Sequence, residues 1–361
     1  MKKILLLIPT LDTGGAEKFV IDLCKFLNHE LFDTKIVCLY PRKNNIYTTY
    51  VESNNMTVAY LNKKKGFSLS FIIKITKYLI KEKPDIIHTN LYSAVYSLFA
   101  LIILRRTIKI HTIHNEATKE LPKTRRLVMK LLYSFFNVRP VAISPRIKKS
   151  IMHTYRMSDK KVYQINNGID IEKFPSRVRK INHLNEIKFI HVGRFSPQKN
   201  HKLLIEAFRM ANKTCSNISL TLVGDGELTN EIKNLVNEYG LTSKVRFYGV
   251  TSEVATVLLE SDVFILSSDW EGLPLSVIEA MSTGLPIIST DVGGISDLVY
   301  NDVNGYLVRK GNIEDLSNAI VSLCKDKDKL LIMSYKSSEI AKEFDIKKMV
   351  EKYSEVYLMK R

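Results

Sequence analysis

The chain has four cysteines in 361 residues, Cys24, Cys38, Cys215 and Cys324, and no Cys-x-x-Cys pair. They lie far apart, mostly within apolar runs, as reduced core thiols do, which points to a cytosolic chain. No stretch is apolar enough to cross a bilayer. The longest, Leu91 to Leu104, has 14 residues before Arg105 and Arg106 close it, against the roughly 20 that a membrane helix needs. The amino terminus begins like a signal peptide, but Pro9 and Asp12 end its apolar run with no small-residue cleavage site, so it is expected to be a first strand. Low-complexity tracts are also missing. With 45% hydrophobic and 25% charged residues, the composition is that of a folded globular protein. No Gly-x-Gly-x-x-Gly follows the first strand, so the dinucleotide-binding fingerprint is missing too.

The chain does have an uneven charge. Of 54 Lys+Arg and 37 Asp+Glu, residues 1 to 178 hold 31 and 13, a balance of +18, while residues 179 to 361 hold 23 and 24, a balance of −1. One half is therefore expected to meet an anionic partner and the other not.

At about 150 residues per domain the length suggests two domains. In the first half, the apolar run Ile4 to Ile8 predicts a strand. Thr10 to Gly15 predicts a loop, and Ala16 to Asn28 a helix with Phe19, Val20, Leu23 and Leu27 on one face. Strands follow at Lys35 to Leu39, after Pro84, at Ile108 to Ile113 and at Pro140 to Ile143, with a helix over Ser68 to Lys83. The same grammar restarts at Lys188 to Val192, with further strands at Ser219 to Val223, Val245 to Tyr248, Val263 to Leu266 and Pro286 to Ser289. Such alternation predicts two doubly wound α/β, Rossmann-like domains facing across a cleft, with ligands at the carboxyl ends of the strands. The expected domains are 1–178 and 179–345, joined by a charged linker from Ser176 to Glu186. A last helix at 346–361 either continues the second domain or crosses back to the first.

Four loops hold candidate chemistry. Thr13-Gly14-Gly15 joins a strand to a helix, either as a tight turn or as bare amides aimed at an anion by the helix dipole. Arg194 and Lys199, after the strand ending at Val192, read as a solvated basic loop or as two cations clamping a diphosphate without a metal. Glu271 lies in the loop before a helix that Pro274 starts, and Glu279 about one turn inside it, with the amides of Leu275 and Ser276 between them. They are a capping acid and a surface acid, or two carboxylates reading the hydroxyls of a ligand with phosphates between two diols, which describes a sugar nucleotide. His114 ends a strand and is structural or faces the ligand, and His111 ranks below it. Asp326-Lys327-Asp328 has metal-site spacing but sits in a Lys-rich helical connection, where a solvated face is expected, so no metal site is expected.

In this order the loops resemble those of a GT-B glycosyltransferase of the retaining family 4, over nearly the whole chain. The resemblance rests on the Glu-x7-Glu motif from Glu271 to Glu279 and on Gly-Gly-Ala-Glu at 14–17, His114, Asn-Gly-Ile-Asp at 167–170, Gly-Arg-Phe-Ser-Pro-Gln-Lys at 193–199, Gly-Asp-Gly at 224–226 and Asp-Val-Gly-Gly-Ile at 291–295. It implies a metal-independent hexosyltransferase whose second domain holds a nucleotide-sugar donor, uridine diphosphate or guanosine diphosphate being the carrier. By resemblance, Glu279 binds ribose, Arg194 and Lys199 neutralise the diphosphate, and Glu271 with the backbone of Gly272, Leu273, Pro274 and Leu275 positions the donor sugar. Gly15 reaches the phosphate, and His114 contacts the sugar or polarises the reacting centre. Gly14 and Asn115 are acceptor-side candidates. Where the family often has a Glu after its second Gly-Gly loop, this chain has Asp297. The family's first domain binds the acceptor, a glycan or a lipid-diphosphate-linked saccharide. Residues 119–150, which interleave cations with apolar and aromatic side chains, are then expected to meet an anionic membrane from the cytoplasmic side, as a peripheral protein. Three rival readings are a nucleotide-sugar epimerase of the same architecture, a non-catalytic sugar-binding relative, and a basic nucleic-acid-binding protein. The last has no helix-turn-helix, finger or RNA-binding signature to support it.

Overall fold

A computed structural model describes residues 1–177 and 186–359, so all but the ends of the expected linker lie outside the described residues. Two compact units emerge. The first joins Met1–Gly168 to Ile346–Arg361, and the second is Ile169–Asp345.

In the first unit the strands are β1 (Lys2–Ile8), β2 (Phe32–Cys38), β3 (Val58–Tyr60), β4 (Ile86–Asn90), β5 (Ile108–Ile113), β6 (Val138–Ala142) and β7 (Tyr163–Gln164). Between them run α1 (Gly15–Phe26), α2 (Ile46–Ser53), α3 (Leu69–Glu82), α4 (Ser93–Tyr96), α5 (Leu98–Ile103), α6 (Ala117–Glu120), α7 (Lys123–Phe135) and α8 (Pro145–Tyr155). The strands form a parallel sheet in the order β3-β2-β1-β4-β5-β6-β7. Ile4 to Ile8 is fully buried because β1 is central, with helices on both faces, which is why its sequence is continuously apolar.

The second unit holds β8 (Ile187–Val192), α9 (His201–Thr214), β9 (Ile218–Val223), α10 (Thr229–Glu238), β10 (Val245–Gly249), α11 (Val254–Leu259), β11 (Val263–Leu266), α12 (Leu275–Ser282), β12 (Ile287–Thr290), β13 (Gly305–Val308), α13 (Ile313–Lys325) and α14 (Lys327–Ala341). Its sheet is parallel in the order β10-β9-β8-β11-β12-β13. In both units the strand order reverses beside the first strand, between β1 and β4 and between β8 and β11. Loops diverge at such a switch point and leave a crevice at the carboxyl ends of the strands.

The boundary lies at Gly168, ten residues before the expected one. The backbone explains the shift: Ile169 donates its N–H to the Phe344 carbonyl at 2.9 Å, and Arg177 donates to the Thr283 carbonyl at 3.3 Å, so 169–177 is already fastened to the second unit. The last helix, α15 (Ile346–Leu358), packs on α1 and completes the first unit's core with Ile346, Met349, Val350, Tyr353, Val356 and Tyr357.

Candidate active site

In the first unit, Gly14 caps α1 in an extended conformation with the Glu17 carboxylate folded close against it, and a Cβ placed on Gly15 would meet nothing within 4 Å, so open space lies beside Gly15 at the amide end of the helix. His114 follows β5. Its ring lies edge-on to Phe19 of α1 at 5.0 Å between centroids, and its Nε2 is 2.9 Å from Asn90 Oδ1 at the end of β4. The amide nitrogen of Asn90 donates to the Leu7 carbonyl, so Oδ1 is the acceptor and Nε2 carries the hydrogen. Burial holds the His114 pKa down at about 3, so the ring is neutral and its lone pair is on Nδ1. His114 is therefore built to accept a hydrogen bond from a hydroxyl, not to deliver a proton.

Glu120, which the sequence left unremarked, ties this loop. Its Oε2 accepts from the backbone N–H of His114 at 2.7 Å and of Asn115 at 2.9 Å. Thr89 donates its hydroxyl hydrogen to the Ile110 carbonyl and lies 2.9 Å from His111 Nδ1. His111 therefore donates from Nδ1, and its Nε2 lone pair faces Glu120 Oε1 at 3.8 Å. Burial raises the Glu120 pKa to about 8, the two backbone donors opposing the shift. A carboxyl group raised in this way stabilises the fold below its unfolded value, and that contribution is lost as pH rises from about 4.5 to about 8, at about 1.4 kcal/mol per pH unit. Glu120→Gln keeps an acceptor for both amides and removes the titration. Denaturant melts at pH 5 and pH 8 are expected to show the wild type losing more stability over that interval than the variant; equal losses would refute a protonated Glu120.

In the second unit, Gly193 to Lys199 follow β8 and Ser267 to Leu275 follow β11, on either side of the switch point. A Cβ on Gly224, where φ is +130°, would lie 2.1 Å from the Gly193 carbonyl oxygen, and one on Gly293, where φ is +56°, would lie 1.9 Å from that of Glu271. The Gly-Asp-Gly and Gly-Gly loops are thus glycine because they press backbone to backbone under the two site loops.

Glu271 is buried. Its Oε1 accepts from Lys199 Nζ at 2.6 Å and Ser268 Oγ at 2.6 Å, and its Oε2 from Gln198 Nε2 at 3.3 Å. The sequence reading gave Lys199 and Glu271 to different parts of a ligand; the structure pairs them with each other across the switch point. Arg194 shares that loop with Lys199. Pro274 is the N-cap of α12 rather than its first residue, and Gly272, Leu273, Pro274 and Leu275 are all buried. Glu279, one turn into α12, is 6% exposed, so it is not a surface acid. Asp326 caps α14 by accepting from the Lys329 amide at 2.9 Å, which accounts for one acid of the Asp-x-Asp spacing. Among the described residues no three His, Cys, Asp or Glu side chains are grouped as a metal site.

The model for Glycosyltransferase Family 4 matches residues 13–173, and the model for Glycosyl transferases group 1 matches residues 173–340. An Escherichia coli protein named UDP-Gal:alpha-D-GlcNAc-diphosphoundecaprenol alpha-1,3-galactosyltransferase is 29% identical, over 98% of this chain and 95% of its own length. The Staphylococcus aureus capsular polysaccharide biosynthesis glycosyltransferase CapH is 26% identical, over 100% of this chain and 99% of its own. The structure of Anabaena Alr3699/HepE in complex with UDP and glucose superposes with a TM-score of 0.84 at 22% identity, covering 98% of this chain and 99% of that one. Together with the two parallel-sheet units and their switch-point loops, these likenesses show that the chain belongs to the group 1, family 4 glycosyltransferases and has their GT-B fold.

Proposed function

We propose that this glycosyltransferase moves a sugar from a nucleotide diphosphate, uridine diphosphate being the favoured carrier, to a lipid-diphosphate-linked saccharide in surface polysaccharide assembly. The observation that carries the reading is the pair of buried carboxylates, Glu271 and Glu279, on either side of the amino terminus of α12 at the switch point. A buried carboxylate that faces a crevice accepts hydroxyl hydrogens, and a helix amino terminus favours phosphate. Glu279 takes the ribose diol, Arg194 and Lys199 the diphosphate, and Glu271 with the Gly272 to Leu275 backbone the donor sugar. Because Lys199 is held by Glu271, one contact that neutralises the leaving group is fixed by the residue that reads the sugar. The first unit supplies His114, which accepts a sugar hydroxyl at Nδ1, and Gly15, which meets phosphate; Gly14 and Asn115 lie on the acceptor side.

In the reaction, the bond from the anomeric carbon to the diphosphate oxygen breaks and a bond to the acceptor oxygen forms on the same face, so configuration is retained. The acceptor's proton passes to the departing diphosphate, and neither a metal nor a cofactor takes part. The names of the E. coli and S. aureus relatives, one acting on a diphosphoundecaprenol-linked sugar and the other in capsule synthesis, support this acceptor class. The work is done at the inner face of the cytoplasmic membrane.

Purified protein is incubated with a panel of nucleotide sugars and membranes in EDTA, and nucleotide release, lipid labelling and product anomer are scored. One donor is expected to be consumed with label entering lipid. Glu279→Ala is expected to weaken donor binding by about 1.5–3 kcal/mol, the cost of a lost hydrogen bond to a charged group, measured by calorimetry. Unchanged donor affinity in that variant would sink the assignment, and an isomerised nucleotide sugar with no lipid label would favour the epimerase.

A further inference from the structure

The exposed apolar side chains are unevenly placed. Nine large ones stand exposed between residues 67 and 135, and most are on three helices. α3 crosses from the edge strand β3 to β4, α5 and α7 join the neighbouring pairs β4 to β5 and β5 to β6, and α5 touches both α3 and α7. Each helix already buries one face, through Phe71, Ile75 and Leu79 on α3, Leu101 on α5, and Met129 and Leu132 on α7. Each then presents a second apolar stripe to solvent. Ile73 and Ile80 lie a heptad apart on α3, Phe99 and Ile103 one turn apart on α5, and Leu127, Leu131 and Phe135 at successive turns of α7. A helix that serves only a core has one such face and a polar opposite face, and exposed apolar patches of this kind mark interaction surfaces.

Charge selects the partner. Exposed Lys77 and Lys81 flank the stripe on α3, Arg105 and Arg106 follow α5, and Lys123 begins α7. The three helices hold one acid, Glu82, which is engaged by Lys3 at 2.5 Å and Lys35 at 3.0 Å. A second copy of this chain would set these cations against themselves, and a nucleic acid would offer nothing to the apolar stripes. A bilayer with anionic headgroups meets both.

We infer that this three-helix face docks the protein onto an anionic lipid surface, its apolar side chains between the headgroups and its lysines and arginines on the lipid phosphates. Only α7 lies within the segment that the sequence singled out; α3 and α5 enlarge it into a platform. The inference deepens the reading of a lipid-linked acceptor and rests on it for its purpose, though not for its test.

Flotation with vesicles of phosphatidylglycerol and phosphatidylethanolamine, beside vesicles of phosphatidylcholine alone, measures the docking. The wild type is expected to float with the anionic vesicles only. Phe99→Ser/Leu127→Ser/Leu131→Ser and Lys77→Glu/Arg105→Glu/Lys123→Glu are each expected to lower the bound fraction at least about tenfold. All six positions are exposed, so unchanged melting temperatures serve as the folding control. With the donor identified, transfer to a short-chain soluble acceptor should be unchanged in both variants, while transfer to an acceptor embedded in vesicles falls. Wild type that stays unbound at low salt, or variants that float as well as wild type, overturn the inference. So does sedimentation showing a dimer that the serine variant abolishes, because the face would then bind a second copy. Flotation with no donor consumed leaves the docking intact and overturns the proposed reaction instead.

Discussion

Glu271→Ala is expected to cost about 3 kcal/mol of stability in the second unit and at least about 100-fold in kcat/KM. The Glu271 carboxylate is 6% exposed and is the meeting point of Lys199, Ser268 and Gln198. Removing it leaves an ammonium group that is only 14% exposed without its counter-charge and the Ser268 hydroxyl without its acceptor, while Gln198 Nε2 keeps the Trp270 carbonyl at 2.9 Å. Breaking a buried pair from one side costs about 3–5 kcal/mol, and the residual exposure of Lys199 puts this case at the lower end. The catalytic loss has a separate origin. The pair is one of several links between the loops after β8 and β11, beside the Asp269 N–H on the Gln198 carbonyl at 2.8 Å and the Ser267 hydroxyl on the Lys199 carbonyl at 2.8 Å. Its removal therefore frees the Lys199 ammonium, and a displacement of about 1 Å in that charge is worth about two orders of magnitude. A cycle with Lys199→Met separates the two effects. The double variant should recover much of the lost stability, because no unpaired charge remains, and should recover none of the activity. A Glu271→Ala protein that melts like wild type and transfers sugar within a factor of three would show that the pair neither holds the loops nor touches the donor.

That pair also shows where sequence reasoning stops. Both residues were visible as candidates, because each follows a buried strand and the strands could be read from their apolar runs. Their partnership could not be read, since they are 72 positions apart and meet only because β8 and β11 are neighbours in the sheet. Glu279 was ambiguous for a related reason. Its helix is buried almost all round, and a short helix of that kind has no polar face from which the outward side could be judged. Glu120 lay beyond reach: a glutamate in a lysine-rich stretch reads as solvated, and only the packing of α6 on α8 and the return of its last residue to the His114 and Asn115 amides bury it. The strands β3 and β7, of three and two residues, are too brief for periodicity to register, and β13, as long as β11 and β12, is only half-buried and so lacks their unbroken apolar run. The central strands and the loops at their carboxyl ends were legible because burial on both faces forces unbroken apolar runs, and close backbone contact forces glycine.

The carboxyl-terminal helix was left open by pattern, and its structural role gives the other large effect. Ending the chain after Asp345 is expected to leave the first unit unfolded while the second still folds. Six buried apolar side chains of α15 would be lost from the first unit's core. At about 1.5–3 kcal/mol each this removes on the order of 10 kcal/mol, comparable to the whole stability of a typical domain. Polar groups would be stranded as well. Tyr353 lies 2.8 Å from Thr112, and Tyr357 lies 2.7 Å from His88, whose other nitrogen is 2.7 Å from Thr112. These join α15 to the middle of β4 and the carboxyl-terminal part of β5, with Tyr353 stacked on His88 at 5.3 Å between centroids. The point variant Tyr353→Ala tests the same contact more gently. It opens a cavity between His88 and Phe19 and is expected to cost about 3–5 kcal/mol, whereas Tyr353→Phe, which loses only the hydroxyl, should cost about 1 kcal/mol. Limited proteolysis of the truncated chain should degrade residues 1–168 and leave a resistant fragment starting near Ile169. A truncated chain with the full unfolding transition of the wild type would refute this role for α15.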